Sequence, residues 1–189
     1  RRLAPAIYLE VVPICGTADT PVISHEADGF EYAVKMKQFP QSAQFDHMLA
    51  DNKLTIKHID ALAEMIADFH HTTNQAGSAT DYGNKILVKQ PVEENFQQIY
   101  QHLDTDPYKK ELDTLNSWCI DESNRLDTVF EQRRHDGFIR ECHGDMHLRN
   151  LVWLEDQAMA FDCIEFNPEL RWIDVISEIA FLVMDLQQR

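Results

Sequence analysis

The decapeptide ECHGDMHLRN, Glu141–Asn150, runs straight into LVWLEDQAMAFD, Leu151–Asp162. Two short apolar runs separated by the turn-forming EDQ predict a β-hairpin that begins just after Asn150 and ends at Asp162. A hairpin folds back on itself, so its two ends lie side by side. Asn150 and Asp162 are thereby expected to be neighbours, although twelve positions separate them in the chain. Ahead of the hairpin the loop concentrates two histidines, two acids, an arginine and an asparagine. That density asks whether it holds a metal, moves protons or is only a solvated turn.

Around this hairpin the chain reads as sheet first and helices after, an α+β order. AIYLEVVPI, 6–14, is a strand by its β-branched content, and FEYAVKMKQF, 30–39, alternates with Tyr32, Val34 and Met36 on one face. The ADG at 27–29 is expected to turn between them, with Gly29 available for a positive φ. Pro40 blocks further ladder pairing. From Thr55, a candidate N-cap, apolar residues recur at helical spacing through Phe69. A loop at 75–84 leads to a helix starting near Pro91 and carrying Phe96, Ile99, Tyr100 and Leu103. DTDP at 104–107 breaks it, and a long helix spans 108–134 until Gly137. FIREC is a strand entering the dense loop. The last helix, about 170–187, is apolar on most sides and is expected to be buried.

Composition narrows the function. A formal net charge of −15 argues against binding a nucleic-acid backbone and is compatible with a cationic substrate or basic partner. No apolar run approaches a membrane span. Four scattered cysteines without a CxxC pair favour reduced thiols and a cytoplasmic address over a disulfide framework.

Two chemistries compete for the loop. His143, Asp145 and His147 could bind Zn²⁺ or Fe²⁺ and make a metallohydrolase, but Gly144 stands where the helical HExxH site has its glutamate. Asp145 and Asn150 instead have the D-x-x-x-x-N spacing of a kinase catalytic loop, in which the acid meets a hydroxyl proton and the amide holds Mg²⁺. Such a loop needs a second metal carboxylate, and the hairpin supplies Asp162. Hard oxygen donors suit Mg²⁺. His70 and His71 close the Thr55 helix, where positive charge suits the dipole, and read as structural or surface residues.

HGDMHLRN followed by FDCIEF resembles the aminoglycoside phosphotransferase and choline kinase group, within the protein-kinase-like fold. DVISEIA, 174–180, resembles that group's D-P-x-x-D-L-A segment, with Asp174 and Glu178 at the acidic positions; Glu178 replaces the usual Asp, and no Pro follows Asp174. More narrowly, RRLAPAIYLEVVPI, GFIRECHGDMHLRN and FDCIEFNPELRWIDVISEIAFLVMDL resemble a bacterial group whose kinase-like region precedes a P-loop ATPase domain.

The resemblance implies a partial small β lobe with its hinge over 1–40 and a helical large lobe with the catalytic loop over 41–189. It implies ATP or GTP with Mg²⁺, and phosphoryl transfer to a hydroxyl of a small molecule. Asp145 would be the catalytic base, Asn150 and Asp162 would hold Mg²⁺ against the nucleotide, and Met36, Lys37 and Gln38 would meet the adenine edge. No GxGxxG loop, VAIK-like strand or GxxxxGK[ST] occurs in the sequence. The chain therefore reads as a segment of a longer protein, impaired in phosphoryl transfer by itself. The competing expectation is a kinase-shaped binding or regulatory module serving an attached ATPase.

Overall fold

The computed structural model describes residues 2–25, 28–102 and 106–189. In chain order the elements are β1 (Tyr8–Thr17), β2 (Thr20–Ile23), β3 (Glu31–Met36), α1 (Phe45–Ala50), α2 (Ile56–Thr72), α3 (Lys85–His102), α4 (Lys109–Arg125), α5 (Asp127–His135), β4 (Ile139–Glu141), β5 (Leu151–Leu154), β6 (Gln157–Ala160), β7 (Trp172–Asp174) and α6 (Val175–Gln188). Small antiparallel sheets alternate with helices, which makes the fold α+β. No helix is long and apolar enough to cross a membrane among the described residues.

Two compact units share the chain. The first holds residues 1–69, 146–163 and 182–189, and the second 70–145 and 164–181. They do not follow the boundary expected at residue 40, because the hairpin strands return to pack with the opening segment. Ala4, Ile7, Val152 and Met159 form a core there, flanked by Tyr8, Phe39, Leu154 and Phe161.

In the first unit, β2-β1-β3 form an antiparallel sheet. The sequence reading missed β2 and put the turn at 27–29. The tight turn lies instead after Gly16, whose φ of 83° only glycine adopts freely, and a Cβ there would meet the Thr20 carbonyl oxygen at 2.5 Å. Gly29 is not among the positive-φ residues, and Ala27 lies outside the described residues. The expected alternation of β3 is present, but Tyr32, Val34 and Met36 are exposed. Thr55 stands at the expected N-cap position of α2, where its bonds run to a side chain: its N–H donates to His58 Nδ1 at 3.0 Å, and its hydroxyl meets the same nitrogen. His58 thus takes the place that glutamate holds in a capping box.

The expected hairpin is β5 and β6, paired Leu151 with Ala160 through Leu154 with Gln157. Its two central turn residues, Glu155 and Asp156, take φ of 53° and 58°. Left-handed φ at both positions marks a type I′ turn, the kind whose twist matches a two-residue hairpin.

In the second unit, several boundaries differ from the sequence reading. α3 starts at Lys85, not near Pro91, because Asn84 Oδ1 accepts from the Leu87 N–H and opens the helix two turns earlier. Pro91 sits inside α3, so tertiary packing overrides its breaking tendency. Leu103 and residues 104–105, part of the expected break, lie outside the described residues. The expected long helix is two, α4 and α5, divided at Leu126. The stretch Trp172–Asp174, expected as helix, is β7, and pairs antiparallel with β4. Residues 74–76 line the other side of β4 through the Gln75–Arg140 bridge, the Glu141 N–H to the Asn74 carbonyl and the Ala76 N–H to the Ile139 carbonyl. α6 is not buried all round: Ile176, Phe181, Val183 and Met184 are exposed, while Glu178 and Leu182 are buried.

The I′ turn makes a stability prediction. Two acidic residues occupy a conformation that costs an L-residue about 1–2 kcal/mol. Asp156→Gly is expected to raise stability by about 0.5–1 kcal/mol, after the entropy that glycine adds to the unfolded chain. Urea unfolding at neutral pH measures it; an unchanged or lower midpoint would contradict the turn assignment.

Candidate active site

The dense loop leaves β4 with a sharp turn. Gly144 has φ of 86°, and a Cβ there would lie 2.7 Å from the Leu170 carbonyl oxygen. The turn aims the N–H groups of His143 and Gly144 at one acceptor, Glu178 Oε1, at 2.6 and 2.9 Å. The other carboxylate oxygen, Oε2, meets His70 Nε2 at 2.6 Å. Glu178 is 2% exposed, His143 1% and His70 8%, so water does not compete for these bonds. Of the two roles expected for His70, structural or surface, it has the structural one; it lies four residues after the buried Ile66 on the same stripe of α2.

The loop's neighbours are fixed in the same unit. The Ile164 N–H donates to the His143 carbonyl at 3.0 Å, and the Cys142 N–H to the Arg171 carbonyl at 2.8 Å. Asp174 accepts two bonds from Arg133, at 2.7 and 2.8 Å, and its Oδ1 takes the Ile176 N–H at 3.0 Å, capping α6. His70, Cys142 and Glu178 lie close enough to be a metal group by donor type. Both Glu178 oxygens also bond within the protein. Burial, followed by the Glu178 and Asp174 charges, pushes the Cys142 thiol far up.

Both loop histidines use Nδ1 on their own backbone. His143 Nδ1 accepts from the Asp145 N–H at 3.3 Å, and His147 Nδ1 from the Arg149 N–H at 3.2 Å. An accepting Nδ1 puts the neutral ring's proton on Nε2. A metal at either imidazole would have to be met through Nε2.

Asn150 and Asp162 belong to the first unit, at the open end of the hairpin. The Phe161 N–H donates to the Asn150 carbonyl at 3.0 Å, which sets Asp162 one residue past the closing pair. Asn150 is buried and Asp162 is exposed. Asp162 has a φ of 60°, a strained left-handed backbone for a non-glycine, and its N–H donates to the Tyr8 hydroxyl at 2.8 Å. The hairpin thus brings Asn150 and Asp162 to the same end, as expected. Asp145 is placed in the second unit, half-buried, on the turn held by Glu178. Met36 ends β3. The Lys37 N–H donates to the Ile7 carbonyl at 2.8 Å and its Nζ to Glu155 at 2.9 Å; Gln38 is exposed just beyond.

Asn150 closes a short 3₁₀ turn, Leu148–Asn150. Gln44 Nε2 donates to the Arg149 carbonyl at 2.9 Å, and Gln44 also bridges to Val152. Arg149 Nε lies 3.8 Å from Asp46 in α1. The Leu148 N–H donates to Asp185 Oδ2 at 2.8 Å. Sequence reasoning missed Asp185 altogether.

The uncharacterized protein Rv2004c of Mycobacterium tuberculosis and the uncharacterized protein Mb2027c of Mycobacterium bovis are similar to this chain. Each is 24% identical over 157 residues, which cover 83% of the chain and 32% of the relative. The chain thus spans about a third of the length of these relatives. No family model matches, and no solved structure matches.

Two stability outcomes test the anchor. Glu178→Ala leaves two buried N–H groups and a histidine without their acceptor, and is expected to cost about 3–5 kcal/mol in urea unfolding. Cys142 gives a pH signature. A thiol whose folded pKa is raised contributes fully below its unfolded value of about 8.5, and stability falls as pH rises above that value. The expected decline is up to about 1.4 kcal/mol per pH unit. Cys142→Ala removes this component. A wild-type curve that matches the variant's slope between pH 8 and 10 would contradict the buried, protonated thiol.

Proposed function

We propose that the chain carries the catalytic hairpin of an ATP- or GTP-dependent, Mg²⁺-dependent phosphotransferase that acts on a small-molecule hydroxyl. In this reading it has a protein-kinase-like fold similar to the aminoglycoside phosphotransferase and choline kinase group. The observation that carries the reading is the hairpin end: Asn150 closes it by pairing with Phe161, and Asp162 follows next, so two hard oxygen donors share that end. That donor set fits Mg²⁺, with nucleotide phosphates and water completing the shell. When bound, the ion would neutralise charge on the transferring phosphate.

The residues of this chain then divide the work. Asp145 accepts or orients the acceptor's hydroxyl proton, from a turn whose backbone Glu178 fixes. Asn150 and Asp162 hold the metal–nucleotide complex. Met36, Lys37 and Gln38 offer backbone to the purine edge. The net charge of −15 is compatible with a cationic acceptor. By the same resemblance, a covalently attached P-loop ATPase domain is the proposed neighbour in the whole protein, and the cytoplasm the proposed location.

Steady-state kinetics and nucleotide affinities on the full-length protein test this. Asp145→Asn is expected to lower turnover by about 10²–10⁴-fold and leave nucleotide affinity nearly unchanged. Asp162→Asn is expected to weaken Mg²⁺–nucleotide binding first, and His147→Ala to be milder than either. Wild-type turnover in Asp145→Asn would remove the catalytic assignment and favour a kinase-shaped binding module. Activity that survives Mg²⁺ removal but is lost with Zn²⁺ chelation would favour a hydrolase built on His143, Asp145 and His147.

A further inference from the structure

Asp185 stands at the wrong end of its helix. It lies in the last turn of α6, where the carbonyl-rich terminus disfavours an acid by about 0.3–1 kcal/mol. Its side chain is only 17% exposed, so it also loses hydration. Arg189 offsets part of both costs, donating from Nε to Asp185 Oδ1 at 2.8 Å. The other oxygen, Oδ2, does something a surface ion pair would not: it accepts the Leu148 N–H at 2.8 Å.

That N–H is the first of the 3₁₀ turn ending in Asn150. The opening N–H groups of a helical turn have no partner within it. The Arg149 N–H finds His147 Nδ1 at 3.2 Å, and the Asn150 N–H finds the His147 carbonyl at 2.9 Å. Both are local to the loop. Asp185 alone comes from another element, 37 positions along the chain, and its bond is charge-assisted. Leu148 is fully buried, so its side chain fixes the turn's depth, and the carboxylate fixes its rotation. Asn150 follows two residues later.

We propose that Asp185 is a positioning residue: by holding the Leu148 amide it sets the orientation of the Asn150 side chain toward a divalent cation. The inference rests on the phosphotransferase reading for the identity of that cation. Groups that orient metal ligands from behind are worth about 10–100-fold in metal affinity.

The experiment has two readouts on the full-length protein and on Asp185→Ala and Asp185→Asn. Amide hydrogen exchange reports the bond itself. Mn²⁺ binding in the presence of ATP, followed by the spectrum of the free ion, reports the ligand. Asp185→Ala is expected to speed exchange at Leu148 and Asn150 by at least about tenfold and to weaken Mn²⁺ by about tenfold. The Glu178-held amides of His143 and Gly144 keep wild-type exchange. Asp185→Asn, whose amide oxygen can still accept, recovers most of both effects and guards against a misfolded alanine variant. Wild-type protection of Leu148 in Asp185→Ala overturns the proposal. So does lost protection with undiminished Mn²⁺ affinity, which would leave Asp185 a structural anchor only. If the wild-type protein binds no Mn²⁺–ATP, the phosphotransferase reading falls and the ligand half of this inference with it. The exchange data still decide whether Asp185 sets the turn.

Discussion

One buried carboxylate carries the candidate site. The chain must reverse sharply at His143–Gly144 inside protein, where two N–H groups point away from any ladder partner. Unmet, each would cost about 1–3 kcal/mol. Glu178 meets both with one oxygen and spends the other on His70, so no part of its charge faces water. Gly144 is the only residue type that tolerates the reversal, since both its φ and the Leu170 carbonyl exclude a Cβ. Turn, acceptor and histidine form one unit: a change at any of them strands the others.

The elements legible in the sequence are those whose signal is local. β5 and β6 follow from two apolar runs and a short polar turn, and the pairing of Asn150's end with Asp162's end follows from hairpin geometry alone. α2 announced itself through period and cap. What escaped depends on partners distant in sequence. β7 is three residues long, too short for any period to register, and exists because β4 offers an edge. Pro91 is carried inside α3 although its ring and missing N–H oppose it. β2 is wholly exposed, so no apolar alternation marks it. For α6 the composition was misleading: four of its large apolar residues face out and an acid faces in.

The same contrast holds within the site. Asp145, Asn150 and Asp162 could be singled out because their spacing matches a known catalytic-loop pattern, which a sequence displays. Glu178 was visible only as an acidic position in a resembling segment, with no hint of what it grips. His70 looked like a helix-end cation, because from sequence alone a dipole partner and a buried hydrogen-bond partner are the same histidine. Asp185 had no signal at all: its partner is a backbone amide, and every residue but proline has one.

The loop's crowd of polar residues thus has an explanation prior to any chemistry. Leaving β4, the chain makes two reversals before the next strand begins, and five of its backbone N–H groups are met by side chains. His143 and His147 each take one, two residues ahead, by the same Nδ1 bond. Glu178 takes two and Asp185 takes one. Two histidines in five residues look like a metal site, yet Nδ1 of each already holds the backbone, which leaves only Nε2 for a metal. The oxygen donors of Asn150 and Asp162 sit where those reversals end. The imidazoles of the loop secure the main chain through Nδ1, and the hairpin that follows brings the positions of Asn150 and Asp162 to one end, so backbone support and oxygen donors are separate tasks of separate residues.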